Sequence, residues 1–219
     1  MDALRGRWRS DSATAAPSAD PAVVDEVGTD LLRRWREPHR HYHDVTHLGE
    51  VLSAVDTLCE AEGVGDEERG AASLAAWFHD AVYSVGSPDA NEAQSAALAS
   101  RELTRLGAPA ELRARVAALV LDTATHDATT PADAGAAGVV IHDADLWVLS
   151  APVARFDEYC HQVREEYAHV SSSTYARARS EVLRPFLVRP HVYRSAHARE
   201  AWEQIARENL ARELTRLAG

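Results

Sequence analysis

Apolar residues recur at intervals of three and four along almost the whole of this 219-residue chain, and that spacing predicts helices. The segment 45–62 shows the pattern most clearly, because its apolar positions form one continuous stripe. Only the run 139–150 begins with β-branched residues that would suit a strand, and no second strand candidate exists to pair with it. We therefore predict an all-α protein with helices over residues 21–37, 45–62, 66–83, 87–106, 109–125, 139–150, 152–169, 174–188 and 197–217.

The chain contains no internal repeat and no linker that would divide it, so its length predicts a single domain with a sizeable core. That domain, a helical bundle, is expected to span residues 21–219. Residues 1–20 are rich in Arg, Ser, Ala and Asp. Because they offer little apolar surface to bury, they are predicted to form a flexible N-terminal tail.

The composition argues against several classes of function. A formal net charge of −11 without any basic run argues against nucleic acid as a partner, because phosphate contacts need clustered positive charge. Every basic residue is Arg, and the absence of Lys excludes both a P-loop and a pyridoxal phosphate enzyme. Cys59 and Cys160 lack metal-binding spacing and are expected to be buried free thiols.

The location of the protein follows from what its sequence lacks. No secretory signal and no apolar run long enough to span a membrane is present, so we expect a cytoplasmic protein with no membrane partner. The acidic composition is compatible with a monomer and with a homodimer alike.

Histidines and aspartates lie within or beside the predicted apolar stripes at His47, at the adjacent pair His79-Asp80 and at Asp145. The pair lies in the second half of the segment 66–83, which is apolar almost all round and is expected to be interior. Burying a His-Asp pair without a partner is costly. A divalent metal ion is the partner that best explains all four residues.

These four residues resemble the signature of the HD-domain superfamily of metal-dependent phosphohydrolases, which has a His on one helix, a His-Asp pair on a later helix and an Asp on a still later one. The dipeptide alone is weak evidence, because it recurs at His126 and His142. The similarity sharpens to a bacterial subgroup of predicted phosphohydrolases and covers about residues 20–215. Further matching motifs are Arg-His-Tyr-His at 40–43, Trp-Phe-His-Asp-Ala-Val-Tyr at 77–83, Asn-Glu at 91–92, Asp-Ala-Asp-Leu at 143–146, Val-Arg-Glu-Glu-Tyr at 163–167 and Ala-Arg-Glu-Asn-Leu at 206–210.

The resemblance implies a metal-dependent phosphohydrolase that hydrolyses a nucleotide or another small phosphate ester through metal-activated water. It implies that His47, His79, Asp80 and Asp145 hold the metal and that His79 and Asp80 take part in catalysis. Asp143 stays open as an alternative to Asp145. Two imidazoles and two carboxylates suit Mn, Ni, Co, Fe, Zn or Mg, as one ion or two.

Two arginines are candidates for substrate binding, because a guanidinium binds phosphate through two parallel hydrogen bonds. Arg40 precedes the first metal-ligand candidate, and Arg164 lies in the motif at 163–167. For Arg164 the alternative is a salt bridge on the helix surface. His43, in the histidine-rich loop, is predicted to contact phosphate or to pass protons, with a solvated histidine-rich loop as the alternative.

Three further residues are predicted to contact the substrate. Asn91 and Glu92 would orient the ligand or the water, although an acidic first turn of a helix explains Glu92 equally well. His126 would contact a phosphate oxygen or a second metal ion, with a solvated helix end as the alternative.

Two other classes of function stay open. One is a regulator that binds a nucleotide on the same fold without turnover. The other, less favoured, is an oxygenase with two iron ions. Some HD-type proteins are of this kind, and they need additional histidine ligands.

Overall fold

Every described element of secondary structure is a helix, as the spacing of the apolar residues predicts. The computed structural model describes residues 2–87, 90–126 and 135–219. Its elements are α1 Asp2–Ala15, α2 Pro21–Arg34, α3 Val45–Ala61, α4 Asp66–Phe78, α5 Asn91–Arg105, α6 Ala110–Asp122, α7 Gly135–Asp145, a 3-10 helix Leu146–Ser150, α8 Val153–Glu166, α9 Ser172–Val188, α10 Ala196–Ala201 and α11 Glu203–Ala218.

Side-chain caps fix the starts of the two helices that precede the site. Asp20 accepts a hydrogen bond from the backbone N–H of Ala22, and Pro21 takes the first helical position of α2. Asp44 accepts hydrogen bonds from the backbone N–H groups of Thr46 and His47 at the start of α3. The first turn of α3 is therefore held firmly where it carries a predicted metal ligand.

Helix α4 forms the centre of a single helical bundle. It packs against α1, α3, α5, α6 and α7, and every residue from Ala71 to Phe78 is buried. Four of those eight residues are alanines, whose small side chains let neighbouring helices approach closely on all sides. The C-terminal end of α4 consequently lies deep in the protein, where the predicted His-Asp pair follows.

The prediction of a flexible tail over residues 1–20 is wrong, because residues 2–15 form helix α1. Trp8 is only 1% exposed, and its indole Nε1 donates a hydrogen bond to the carbonyl of Val24 at 2.8 Å. The Trp8 ring also packs edge-on against Trp77 and Phe78 at the end of α4. One large aromatic side chain supplies the apolar surface that the average composition of this segment conceals.

The helix predicted over 66–83 ends five residues early, so that His79 and Asp80 lie in the turn that follows α4. The guanidinium of Arg40 donates to the backbone carbonyls of Asp80 and Ala81 at 2.7 and 3.3 Å. These hydrogen bonds satisfy carbonyls that a continuing helix would otherwise have used. A side chain from a distant loop thus stabilises the turn in place of another helical turn.

The remaining boundaries differ by smaller amounts. The ambiguous run 139–150 is helical, as α7 and the 3-10 helix, and the helix predicted over 197–217 is divided at Trp202. Residues 88–89 and 127–134, on which part of a predicted helix start and most of a predicted loop fall, lie outside the described residues. Cys59 and Cys160 are buried free thiols, as predicted.

Among the described helices, no single helix is long and apolar enough to cross a bilayer. Two adjacent segments, Gly135–Ser150 and Val153–Glu166, reach the required length and composition only together, and they are bent by 102° relative to each other.

Replacing Trp8 with Ala is expected to lower the free energy of unfolding by about 3–5 kcal/mol, because the change removes a buried ring from the core. The exposed Arg5 on the same helix provides a control, and Arg5→Ala is expected to change the free energy of unfolding by less than about 0.5 kcal/mol. Urea denaturation followed by circular dichroism measures both. Equal, small effects would mean that α1 does not belong to the folded core.

Candidate metal centre

Four predicted residues converge from three helices. His47 lies in the first turn of α3, His79 and Asp80 follow α4, and Asp145 ends α7. The Nε2 atoms of His47 and His79 are 3.1 Å apart. The Oδ1 atom of Asp145 lies 3.2 Å from His47 Nε2 and 3.4 Å from His79 Nε2.

Asp80 completes the group because the helix has ended before it. Its Oδ2 atom lies 3.4 Å from the Nε2 of the adjacent His79 and 3.9 Å from the Nε2 of His47. Successive side chains of a regular helix point about 100° apart, so the turn is what brings both residues to one point. One ligand atom each of His47, His79 and Asp80 lies within 4.8 Å of the others, and this group could hold a metal ion.

The ring of His79 is oriented for coordination. Its Nδ1 atom is 2.9 Å from the carbonyl of Ala76 and donates a hydrogen bond to it, so Nε2 is the atom that faces the cluster. Burial lowers the pKa of His79, but the carboxylates of Asp80 and Asp145 outweigh it and raise the pKa to about 9. A cation that binds here must therefore displace a proton from His79.

Asp145, and not Asp143, belongs to the cluster. Asp143 is completely buried, and its carboxylate accepts hydrogen bonds from His142 Nδ1 and from the backbone N–H groups of Arg194 and Ser195. The two bonds from Arg194 and Ser195 join α7 to the segment before α10. Burial raises the pKa of Asp145, but the neighbouring histidines lower it by more than burial raises it, so the pKa lies well below its usual value. Asp145 is consequently ionised and available to a cation.

His126 lies beside the cluster, with its Nε2 atom 3.5 Å from Asp145 Oδ2. Its ring packs against those of His142 and Phe186. Burial lowers the pKa of His126 to about 4, so the ring is neutral at pH 7. Its Nδ1 atom is buried and 25% of the side chain is exposed, so the alternative of a solvated helix end describes this residue only in part.

His43 is oriented by Glu166, a residue that sequence analysis did not select. Glu166 Oε1 accepts hydrogen bonds from the backbone N–H groups of His41, Tyr42 and His43 at 2.9, 2.8 and 3.0 Å. Its Oε2 atom accepts from the hydroxyl of Tyr83 and from His43 Nδ1, both at 2.7 Å. The His43 ring stacks on Tyr83, and its Nε2 lies 4.0 Å from Asp80 Oδ2.

The position of Glu166 could have been found in the sequence. The buried residues of α8 recur at three and four up to Val163, and the next position on that face is Glu166. Burial raises the pKa of this carboxyl group, but its hydrogen bonds and its interaction with His43 dominate and lower the pKa to about 2. A glutamate on the buried face of a helix thus indicates a carboxylate whose oxygens accept hydrogen bonds inside the protein.

The prediction that Arg40 contacts the substrate is wrong. Its side chain is completely buried, and the guanidinium pairs with Glu37 at 3.1 Å. It also donates to the carbonyls of His43, Asp80 and Ala81. Arg40 therefore holds the backbone on either side of the site and does not reach a ligand.

The same prediction is wrong for Arg164. Its guanidinium donates to the carbonyls of Tyr167 and Val170, at 2.6 and 3.0 Å, and lies over the ring of Tyr175. These bonds satisfy carbonyls where α8 ends. Within the described parts of the chain Arg164 forms no salt bridge, so the alternative of an ion pair on the helix surface does not hold there either.

Asn91 and Glu92 both border the cavity beside the cluster. The Asn91 side chain accepts a hydrogen bond from the N–H of Ser84 and donates one to its carbonyl, which holds the turn that follows Asp80. Burial raises the pKa of Glu92, and the carboxylates of Asp80 and Asp145 raise it further. Asn91 thus holds the backbone, whereas Glu92 adds a third carboxyl group to the lining of the cavity.

The cavity beside the cluster has a volume of about 300 Å³. Its polar side carries His43, His47, Asp80, Asp145 and His126. Its other walls are mainly aromatic and aliphatic, and among the described residues that line it the only arginine is Arg179, which sequence analysis did not select. The aromatic wall residues are Tyr42, Tyr83, Tyr159, Tyr167 and Phe186.

The four clustered side chains offer two nitrogen and two oxygen donors, a set that divalent cations accept. No protein-family model matches the chain, and no curated protein and no solved structure matches it. The chemistry of this site must therefore be inferred from its own residues.

Replacing His79 with Ala is expected to weaken Mn²⁺ binding at least about 10-fold, because the cluster loses one of its nitrogen donors. His161→Ala is the matched control, since that histidine is exposed on α8 and pairs only with Glu165. Calorimetric titration of Mn²⁺ into each protein gives the affinities. Unchanged affinity in His79→Ala would show that the metal binds elsewhere.

The low pKa of Glu166 predicts a loss of stability in acid. A group whose pKa falls from 4.5 to about 2 on folding stabilises the protein above pH 4.5, and the contribution is lost as the pH falls toward 2. The shift corresponds to about 3 kcal/mol.

The difference in the free energy of unfolding between the wild type and Glu166→Gln should therefore narrow between pH 6 and pH 3. Glu165→Gln, at the neighbouring half-exposed position, provides the control and should follow the wild type at every pH. A Glu166→Gln protein that retains the acid sensitivity of the wild type would contradict the assignment.

Proposed function

We propose that this protein is a metal-dependent phosphohydrolase of the HD type, which hydrolyses a small phosphate ester. One observation carries the proposal. His47, His79, Asp80 and Asp145 meet at one end of a cavity, with the two Nε2 atoms 3.1 Å apart and an Asp145 oxygen within 3.4 Å of both. Buried groups of this kind need a partner, and a divalent cation satisfies all four.

The donor set favours a first-row transition ion, Mn²⁺, Fe²⁺, Co²⁺, Ni²⁺ or Zn²⁺, over Mg²⁺, because imidazole nitrogen is a poor ligand for Mg²⁺. When bound, such an ion lowers the pKa of a coordinated water and polarises a phosphoryl oxygen. His79, held through Nδ1 by Ala76, would present Nε2 to the ion, and His47 would present its own Nε2, which lies 3.1 Å from that of His79.

The chain's own residues suit the proton transfers of hydrolysis. We assign to the Asp80 carboxylate, which borders the cavity, the acceptance of a proton from the attacking water through the oxygen that does not bind the ion. His43 Nε2 lies 4.0 Å from Asp80 Oδ2 and borders the same space. We assign to His43 the transfer of a proton to the leaving oxygen, with Glu166 holding the ring through Nδ1.

A screen of nucleotides and simple phosphate esters with several divalent metals tests the proposal. The wild type should release phosphate only with metal, and a chelator should abolish the activity until metal is restored. Asp80→Ala is expected to lower kcat at least about 100-fold, because it removes the proton acceptor and a metal ligand together. His161→Ala should retain wild-type kcat.

Three outcomes would overturn the proposal. Hydrolysis that survives both chelation and His79→Ala would place the activity elsewhere. Nucleotide bound tightly with metal for hours without product would indicate a regulator. Two iron ions per chain, together with consumption of O₂, would indicate an oxygenase.

A further inference from the structure

Arg179 lies on the face of α9 that borders the cavity, together with Val182, Leu183 and Phe186. Its Nη2 donates a hydrogen bond to the hydroxyl of Tyr159, and its guanidinium lies over the Tyr159 ring at 5.2 Å from the centroid. The side chain is therefore held against an aromatic wall instead of extending into solvent.

Among the residues that the structure describes, the charge of Arg179 has no acidic partner. Among the described residues, no carboxylate oxygen lies within 4.0 Å of its guanidinium nitrogens. Its Nε atom is buried and has no hydrogen-bond partner there either. Nearby arginines differ, since Arg212 and Arg216 both pair with Asp157. A partly buried cation without a counter-charge is costly, which indicates that an anion completes the site.

The wall that holds Arg179 continues to the metal cluster. The Tyr159 ring lies 4.5 Å from that of Tyr42, and the Tyr42 ring lies 4.7 Å from that of His47. Burial raises the pKa of Tyr159, so its hydroxyl keeps a proton that it can donate. An anion in this cavity would thus meet a guanidinium and a phenol on the wall that leads to the metal ligands.

The charge balance of the cavity limits what that anion can be. The carboxylates of Asp80 and Asp145 would neutralise a bound divalent cation, and Glu92 adds a further acid. Arg179 is then the one guanidinium among the described lining residues that can pair with the ligand. A cavity of about 300 Å³ also lies at the lower end of the range for small-molecule sites. A single guanidinium suits one phosphoryl group, whereas a triphosphate brings more negative charge into a cavity that already holds Asp80, Asp145 and Glu92.

We propose that Arg179 binds the phosphoryl group of the substrate and that the cavity selects a compact phosphomonoester over a nucleoside triphosphate. This inference rests on the proposed function and names its substrate class. The aromatic and aliphatic walls would receive the organic part of the ester.

Calorimetry tests the inference. It measures the affinity of the Mn²⁺-loaded protein for inorganic phosphate, for phenyl phosphate and for ATP. Arg179→Met should raise the Kd for both single-phosphoryl probes at least about 10-fold, because it removes the charged donors. Arg177→Met, two residues earlier on α9 and exposed, should leave both values within about 2-fold. Affinity for Mn²⁺ should not change in either variant.

The same measurements separate this inference from the proposed function. Loss of phosphate binding in Arg179→Met supports the inference even if no ester is hydrolysed. Hydrolysis with an unchanged KM and unchanged phosphate affinity in Arg179→Met overturns the inference and leaves the proposed function standing. ATP binding as tight as that of phenyl phosphate overturns the selection for monoesters. If Arg179→Met does not fold, Arg179→Lys and Arg179→Gln, which differ in charge, carry the same comparison.

Discussion

The candidate site depends on the hydrogen bonds that the Glu166 carboxylate accepts. It accepts three backbone N–H groups from residues 41–43 with one oxygen and two side-chain donors with the other. A buried carboxylate is unfavourable unless its lone pairs are satisfied, so the loop is stable in this conformation only while all five donors point inward. That loop orients His43 and ends at Asp44, the cap of the helix that carries His47.

Arg40 also contacts this loop, through the carbonyl of His43. The side chains of Glu166 and Arg40 together explain how distant parts of the chain meet. Glu166 joins α8 to the loop before α3, whereas Arg40 joins that loop to the turn after α4. The four clustered residues themselves come from the ends of α3, α4 and α7. An ion shared by three helix ends would add to the stability of the folded protein, because the unfolded chain offers it no assembled site.

Sequence periodicity predicted the helices well and their ends less well. The run 139–150 is helical, as predicted from the lack of a partner strand. Helix α1 was missed because the mean composition of residues 1–20 hides one buried aromatic residue, Trp8. His79 and Asp80 were placed inside a helix, since hydrogen bonds from Arg40 leave no local signal. The four clustered residues were predicted from a pattern of residue types. The directions of Arg40, Arg164 and Arg179 depend on tertiary packing, which a pattern does not contain.

The contacts of α1 extend to the site through two tryptophans. Trp8 packs against Trp77, and the carbonyl of Trp77 accepts a hydrogen bond from Trp35, whose ring lies 5.4 Å from that of His79. Asp11 adds a second link, because it accepts from the indole N–H of Trp77. Proteolytic loss of the first fifteen residues would therefore loosen the packing behind a candidate metal ligand, His79, more than sixty positions away. A segment whose composition predicted a flexible tail thus supports the candidate site.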